Sequence, residues 1–250
     1  MTVTEKPKDN DAKGMIDIPL QTWEEFGDCI KIDCDKIKKE KHNGHVSELL
    51  FRGQSSNKWQ LSTTLERYLD KYLRKKSWKK TEGKTWDDLK QFSWERYFRI
   101  LQRVGPALSS LTSYKPKDLD NDFPDSFSVN EHPPAYEFMV HLRHLGFPSP
   151  LLDWTISPYV AAFFAFNEAN ENEVAIYSFL EYKTNSKLYY APEPNIMVCG
   201  QFIETHKRHF HQQSRYTICS KSLEFDKKTY QVKSRLYCFH ELISRMLKKS

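Results

Sequence analysis

The sequence predicts a single α+β domain, and three observations lead to this class. The chain has 250 residues, of which 39% are hydrophobic and 14% aromatic, enough for one sizeable core. Helical and strand-like stretches mix without the regular alternation of a βαβ protein. The first half of the chain is mostly helical in pattern. We therefore expect a domain over residues 15–250 with a mixed central sheet and a helical N-terminal half, after a flexible segment at residues 1–14.

The composition argues against a nucleic-acid-binding, a membrane-spanning and a secreted protein. The net charge of +5 arises from 38 basic and 33 acidic residues, a milder excess than a dedicated nucleic-acid-binding protein usually carries. No apolar run is long enough to span a membrane, and the polar N-terminus lacks the apolar centre of a signal peptide. The 5 cysteines are odd in number and form no CxxC motif. We expect free thiols and a cytoplasmic location.

The N-terminal stretch "IPLQTWEEFGDCIKI" predicts a helix. Thr22 is a candidate N-cap, and Glu25 follows three residues later as in a capping box. The charged stretch "DCDKIKKEKHNGHVSE" is expected to be a loop or a frayed helix end. The apolar run "ELLFRGQ" then predicts a buried strand that ends at a turn.

Two helices are predicted next, in "LSTTLERYLDKYLRKKSWKK" and in "TWDDLKQFSWERYFRILQRVGPAL", where Thr85 is the candidate N-cap of the second. Its apolar stripe includes Tyr97 and Leu101. A long loop rich in Pro, Asp, Asn and Ser follows. Pro134 is expected to open another helix, which Gly146 can end in the left-handed conformation.

The stretch from "FPSPLLDWTISPYVAAFFAFN" to "EVAIYSF" is the most strongly patterned part of the chain. Ser157 and Pro158 are typical of a helix start, with Ser as the N-cap and Pro at the first position. The helix after them is apolar all round, so we expect it to be buried. "EVAIYSF" predicts a strand inside the sheet. The C-terminal "KSRLYCFHELISRMLKK" predicts a helix.

Asp153 is the first candidate for chemistry, because it lies between Leu152 and Trp154 in an apolar run. A buried carboxylate is costly unless it is paired or hydrogen-bonded, and the forked guanidinium of an arginine matches it well. Arg52, at the end of the predicted first strand, is a candidate partner. The alternative is that Asp153 only caps the following turn or helix.

Several blocks in order resemble the FRG domain family and span residues 49–217. The matching positions are Phe51-Arg52-Gly53-Gln54, Trp59, Leu61, Leu65, Arg67, His144, Gly146, Pro148, Leu151-Leu152-Asp153-Trp154-Thr155, Ser157-Pro158, Ala161, Phe164-Ala165, Arg208, Gln212-Gln213, Tyr216 and Thr217. The chain departs from the family pattern at three places. Arg143 stands where a Gln is usual, Ser149-Pro150 replace Thr-Arg before the Leu-Leu-Asp, and Ser214 replaces a Gly.

The same blocks are similar, more remotely, to ADP-ribosyltransferases of the Arg-Ser-Glu type. That resemblance implies an ADP-ribosyltransferase-like core, NAD as the cofactor, and ADP-ribosyl transfer or NAD cleavage as the reaction. Arg52 would then hold phosphate, while Thr155 or Ser157 would position a ribose. Asp153 would orient Arg52 or a ribose hydroxyl, and Glu204 is the candidate for the catalytic glutamate.

Further cofactor-binding candidates follow from the resemblance: Gly53, Gln54, His144, Trp154, Gln212 and Gln213. A glycine allows close approach of backbone to a ligand, and the helix that begins at Pro158 offers free N–H groups to a phosphate. Trp154 or a nearby aromatic ring would stack on a base. Gln212 and Gln213 are either part of a pocket or structural hydrogen-bonding groups.

The sequence also bears on functions other than nucleotide chemistry. The histidine spacings match no standard metal motif, so no metal site is expected. The leading expectation is a nucleotide- or NAD-binding transferase with a macromolecular acceptor, in the manner of a bacterial toxin or a phage-defence effector. The alternative is a non-catalytic module, in which Arg52–Asp153 is a structural salt bridge and the surface binds a protein or a nucleic acid. Steep salt dependence would mark nucleic-acid binding through the basic residues 67–84.

Overall fold

A computed structural model describes residues 18–41, 46–75, 94–112, 114–117, 119, 133–169, 173–181, 195–199, 207–226 and 231–236. The helices are α1 Trp23–Lys41, α2 Thr64–Lys75, α3 Trp94–Thr112, α4 Tyr136–His144, α5 Pro158–Asn167 and α6 Lys207–His211. The strands are β1 Leu49–Gln54, β2 Leu152–Thr155, β3 Ala175–Leu180, β4 Asn195–Cys199, β5 Ser214–Asp226 and β6 Gln231–Leu236. The α+β class and the helical N-terminal half are confirmed.

The strands form one sheet in the order β3-β1-β2-β5-β4, with β6 paired to the second half of β5. Every pairing that the structure describes is antiparallel, although a mixed sheet was predicted. The strands β2 and β3, which α5 connects, run in the same direction. They do not pair with each other, because β1 lies between them and is antiparallel to both. The parallel pairing that a β–α–β connection usually creates is therefore not formed.

Two apolar clusters fill the core. The larger cluster joins α3, α4, β4 and β5 and includes Tyr97, Phe138 and Tyr216. The smaller cluster contains Leu50, Leu152, Trp154 and Cys219. Because side chains alternate along a strand, β5 contributes Tyr216 to the first cluster and Cys219 to the second. The sheet is thus covered with apolar side chains on both faces at its centre.

The predicted cap of α1 is confirmed. Glu25 N–H donates to Thr22 Oγ1 at 3.1 Å, and Thr22 N–H donates to Glu25 Oε2 at 3.2 Å, which is the reciprocal pair of a capping box. The helix continues through the charged stretch to Lys41, so most of the residues expected to form a loop or a frayed end are helical. Long charged side chains have good helix propensity and need no core to remain helical at the surface.

The helix α4 begins at Tyr136, two residues after Pro134, because Ala135 adopts the left-handed conformation with φ 60°. Its end is as predicted. Gly146 has φ +83°, its N–H donates to Arg143 O, and Phe147 N–H donates to Leu142 O, both at 3.0 Å. These two bonds form a Schellman motif, which a glycine at this position allows.

Three predictions about burial and boundaries are wrong. The helix α5 is buried on one side only, with Phe163 60% exposed. The strand β3 lies at an edge of the described sheet, because its one described partner is β1. Residues 233–236, predicted helical, belong to β6, where pairing with β5 overrides their helical propensity. Thr85, the flexible residues 1–14 and the rest of the predicted C-terminal helix lie outside the described residues.

No helix of the described part of the chain is long and apolar enough to cross a membrane. Four of the five cysteines fall within the described residues, and three of these, Cys29, Cys34 and Cys199, have free thiols, as predicted. The fifth, Cys238, lies outside them.

Gly53 fixes how closely α5 approaches the sheet. A Cβ atom at this position would lie 1.9 Å from the backbone oxygen of Ala161 and 2.7 Å from the backbone nitrogen of Ala165. Backbone atoms of a packed helix cannot swing away as a flexible side chain does. The close approach that a glycine was expected to permit is therefore made by a helix of the same chain.

We expect Gly53→Ala to destabilise the protein by about 3 kcal/mol, because the added methyl group must push α5 away from β1. Gly27→Ala is the matched control, because Gly27 lies in the second turn of α1 and a Cβ there meets nothing within 4 Å. It should stabilise the protein by up to about 1 kcal/mol through helix propensity. Urea denaturation measures both, and equal free energies of unfolding for the two variants would contradict the role of Gly53.

Candidate functional site

Arg52 and Asp153 contact each other, as the residue chemistry predicts. Arg52 lies on β1 and Asp153 on β2, next to the point where Phe51 pairs with Thr155. Arg52 Nη1 donates to the backbone oxygen of Asp153 at 2.7 Å and also to its carboxylate oxygen Oδ1. The ion pair therefore joins two neighbouring strands whose residues are 101 positions apart in the chain.

Arg143, at the end of α4, is a second partner of the same carboxylate. Its Nη2 donates to Asp153 Oδ1 at 2.5 Å, and its Nη1 donates to Thr64 Oγ1 at 3.1 Å. Sequence reasoning missed this role. A signal was present, since Arg143 replaces the usual Gln while Pro150 replaces the usual Arg. The family pattern has an arginine directly before Leu151, and this chain has Arg143 on α4 instead.

Burial and charge fix the ionisation of Asp153. The side chains of Arg52 and Arg143 are 14% and 11% exposed, whereas that of Asp153 is 45% exposed. Burial raises the pKa of Asp153, but the two guanidiniums outweigh this effect and hold its pKa well below the usual range. Asp153 is consequently a carboxylate that accepts hydrogen bonds over the whole physiological pH range.

Some donors and acceptors at this ion pair make no hydrogen bond with the described residues. Arg52 uses only Nη1, and its buried Nε has no hydrogen-bond partner among the described residues. Both guanidiniums donate to Oδ1 of Asp153, while Oδ2 accepts from no other residue in the described ranges. Two positions along β1, the buried Oε1 of Gln54 also finds no partner there. Buried polar groups are normally satisfied, so a set of open donors and acceptors indicates a place for another polar group.

A third arginine adds positive charge at the same place. Arg67 lies one turn into α2, and its Nη1 donates to Ser62 O at 2.6 Å. Burial, and then the charges of Arg52 and Arg143, lower the pKa of Arg67. The two carboxylates that act on Arg67 are Asp153 and Glu66, so three positive charges face two negative ones. The electrostatic surroundings of the cluster favour an anion.

The hydroxyl groups of Thr155 and Ser157 are already engaged. Thr155 Oγ1 donates to Gln212 O at 2.7 Å and accepts from Ser157 N–H at 3.0 Å. Ser157 Oγ accepts from Val160 N–H at 3.3 Å and so caps α5, as the Ser-Pro pattern predicts. Both hydroxyls hold the chain between β2 and α5, and a ribose would have to compete with these contacts.

The remaining cofactor-binding candidates occupy varied positions. Trp154 is 5% exposed, and its indole N–H donates to Thr217 Oγ1 at 2.8 Å, so stacking on a base would require the surrounding core to move. His144 Nε2 lies 3.2 Å from the hydroxyl of the buried Tyr216. Gln212 and Gln213 contribute backbone oxygens, which accept from Thr155 and from Ile156 N–H respectively. Their roles towards a cofactor remain predictions.

Glu204, the candidate for the catalytic glutamate, lies outside the described residues. Within the described ranges, no group of three or more His, Cys, Asp or Glu side chains is placed to hold a metal ion. The site that the structure brings together is therefore Arg52, Arg143 and Asp153, with Arg67 beside it. We call these four residues the arginine cluster.

Comparison with known proteins identifies a family. The model of the FRG domain matches residues 47–174, about half of the chain. The matched region contains all four residues of the arginine cluster, whereas Gln212 and Gln213 lie beyond it. No curated protein and no solved structure matches the chain.

We expect Asp153→Asn to destabilise the protein at neutral pH by about 2 kcal/mol, because it leaves two nearly buried guanidiniums without their carboxylate. This loss of stability is smaller than that expected for a fully buried ion pair, since Asp153 is half exposed and its charge is partly screened by solvent. The lowered native pKa means that the carboxylate stabilises the fold fully above the ordinary aspartate pKa of about 4. That contribution is lost as the pH falls further towards the native pKa.

Urea denaturation of the wild type and of Asp153→Asn over a range of pH tests this. The gap in unfolding free energy should be widest at neutral pH and should close as the pH falls below about 4. Asp35→Asn is the control, because the one ion pair of Asp35 within the described ranges is an exposed pair with Lys38 at 3.7 Å. It should change stability by no more than about 0.5 kcal/mol. A gap that stays constant with pH would show that the ionised form of Asp153 does not stabilise the fold.

Proposed function

The chain belongs to the FRG domain family, and we propose that its arginine cluster binds a phosphorylated nucleotide, with NAD as the leading ligand. One observation carries this proposal. The nearly buried Arg52 has an Nε without a partner among the described residues, directly beside a half-exposed carboxylate. A site that offers open donors and an open acceptor together suits a ligand with both phosphate and hydroxyl groups.

The phosphate part of the proposal rests on the guanidiniums. A guanidinium presents N–H groups in a fixed fork that matches the oxygens of a phosphate. Arg52 donates to Asp153 through Nη1 only, and its buried Nε makes no hydrogen bond within the described part of the chain. The excess of positive over negative charge around Arg67 would be relieved by an anion. Low solvent exposure strengthens such contacts relative to water.

The ribose part of the proposal rests on Asp153. Its low pKa keeps it ionised, and an ionised carboxylate can only accept hydrogen bonds. The hydroxyl groups of a ribose are donors of the kind that Oδ2 would accept. Asp153 would therefore have two tasks, to orient Arg52 and Arg143 through Oδ1 and to bind a sugar through Oδ2.

The reaction class comes from the resemblance to ADP-ribosyltransferases, not from the geometry. In that chemistry the bond between C1′ of the ribose and the nicotinamide nitrogen breaks, and nicotinamide leaves. The ADP-ribosyl group passes to water or to a nucleophile on a macromolecular acceptor, which releases a proton. The residues of the arginine cluster would bind and orient NAD. Glu204 is the candidate for the catalytic group, and a role as a toxin or in phage defence belongs to the same proposal.

The competing function is a non-catalytic interaction module, in which the arginine cluster serves stability alone. It predicts that substitutions of Arg52 lower the melting temperature and alter no ligand binding. Calorimetric titration with NAD, together with release of nicotinamide, distinguishes the two functions.

We expect Arg52→Lys to weaken NAD binding by tenfold or more while the protein stays folded. A lysine keeps the positive charge near Asp153 but lacks the Nε and Nη2 donors, and a hydrogen bond to a charged group contributes about 2 kcal/mol. Titration calorimetry on the purified chain gives the affinity, and a thermal melt in the absence of ligand shows that the variant is folded.

Arg215→Lys is the matched control. Arg215 is also nearly buried, with its side chain 9% exposed, and its Nε donates to Glu48 at 2.7 Å. The same substitution there should reduce stability to a similar extent and leave NAD binding unchanged. The proposal fails if the wild type binds no NAD, or if the two variants bind NAD equally well.

A further inference from the structure

The helix α5 has an unusual surface for a helix at the outside of a domain. Its sequence, PYVAAFFAFN, contains no charged residue. Small side chains face the sheet, and these are Ala161, Ala162 and Ala165. Large aromatic side chains face outward: Tyr159 and Phe163 are each 60% exposed and Phe166 is 58% exposed. Helices that are apolar all round are normally buried on every side.

The exposed rings form one continuous stripe. Tyr159, Phe163 and Phe166 follow the spacing i, i+4, i+7, which places them on one side of the helix. Trp23 of α1 is 57% exposed, and its ring centroid lies 6.0 Å from that of Tyr159. We call these four residues the aromatic stripe. The aromatic stripe includes residues of two helices, so it is an extended surface patch and not an isolated exposed side chain.

The area of the stripe is large for a surface that stays in water. An aromatic side chain buries on the order of 200 Å² when it is fully covered. Four rings that are more than half exposed therefore present roughly 500 Å² of apolar surface. A stable interface needs about 800 Å² from each partner, so the stripe would supply more than half of that. Patches of this size usually mark a site of association.

We propose that the aromatic stripe is the contact between two copies of this chain, related by a two-fold axis. The protein carries a net charge of +5, so most pairings of two copies bring like charges together. The helix α5 carries no charge and avoids that repulsion. Phe163 lies between Tyr159 and Phe166, so an antiparallel copy of α5 places Phe163 against its own counterpart. Such a self-complementary patch is what a two-fold interface requires.

The experiment measures the mass in solution of the 250-residue chain, by sedimentation velocity over a range of concentrations. The wild type should form a dimer of twice the 29.7 kDa chain mass. Phe163→Glu and Phe163→Lys should each be monomeric, with the dissociation constant raised on the order of a hundredfold. An equimolar mixture of the two variants should form a dimer again, because opposite charges then meet across the axis.

Phe210→Glu is the matched control. Phe210, on α6, is 62% exposed, so the variant makes the same change of charge at an equally exposed phenylalanine outside the stripe. It should remain a dimer. A wild type that is monomeric at every concentration overturns the proposal. So does a Phe163→Glu protein as dimeric as Phe210→Glu, or a mixture of the two Phe163 variants that stays monomeric.

Discussion

The carboxylate of Asp153, shared by two arginines, is the interaction on which the arrangement of the domain depends. It receives Arg52 from β1 and Arg143 from α4, and Arg143 also reaches Thr64 at the start of α2. Three elements, β1, α2 and α4, are thereby fixed against β2. The side chains of Arg52 and Arg143 are almost buried. Their positive charges therefore need the negative charge of Asp153 to offset the loss of hydration.

This arrangement is not one that stability alone would favour. A buried pair selected only for stability would satisfy every donor, since each open buried group costs free energy. Among the residues that the structure describes, Arg52 donates through one nitrogen, and both guanidiniums donate to one oxygen of Asp153. Apolar side chains of similar size would hold the strands together at less electrostatic cost. A polar ligand gives a reason for charged residues with unused hydrogen-bonding groups to lie at the junction of β1, β2 and α4.

The sequence predicts the local features of this structure well and the long-range ones unevenly. The capping box at Thr22, the N-cap at Ser157 and the glycine at position 146 depend on neighbouring residues, and all three are confirmed. The Arg52–Asp153 pair was predictable because a carboxylate in an apolar run needs a partner. Arg143 was not predicted, because its position depends on how α4 packs on the sheet. The exposure of α5 was missed because apolar composition does not reveal which molecule covers a surface.

One helix links the two surfaces for which functions are proposed. The inner side of α5 packs on Gly53, where an added methyl group would lie 1.9 Å from the backbone oxygen of Ala161, so helix and strand must move together. Gly53 is the neighbour of Arg52, and Ser157 joins the start of α5 to Thr155 at the end of β2. A second copy bound to the outer side of α5 would therefore restrict the movement of the strands that carry the arginine cluster. Because α5 packs tightly on these strands, association can stabilise the geometry of the cluster without contributing a residue to it.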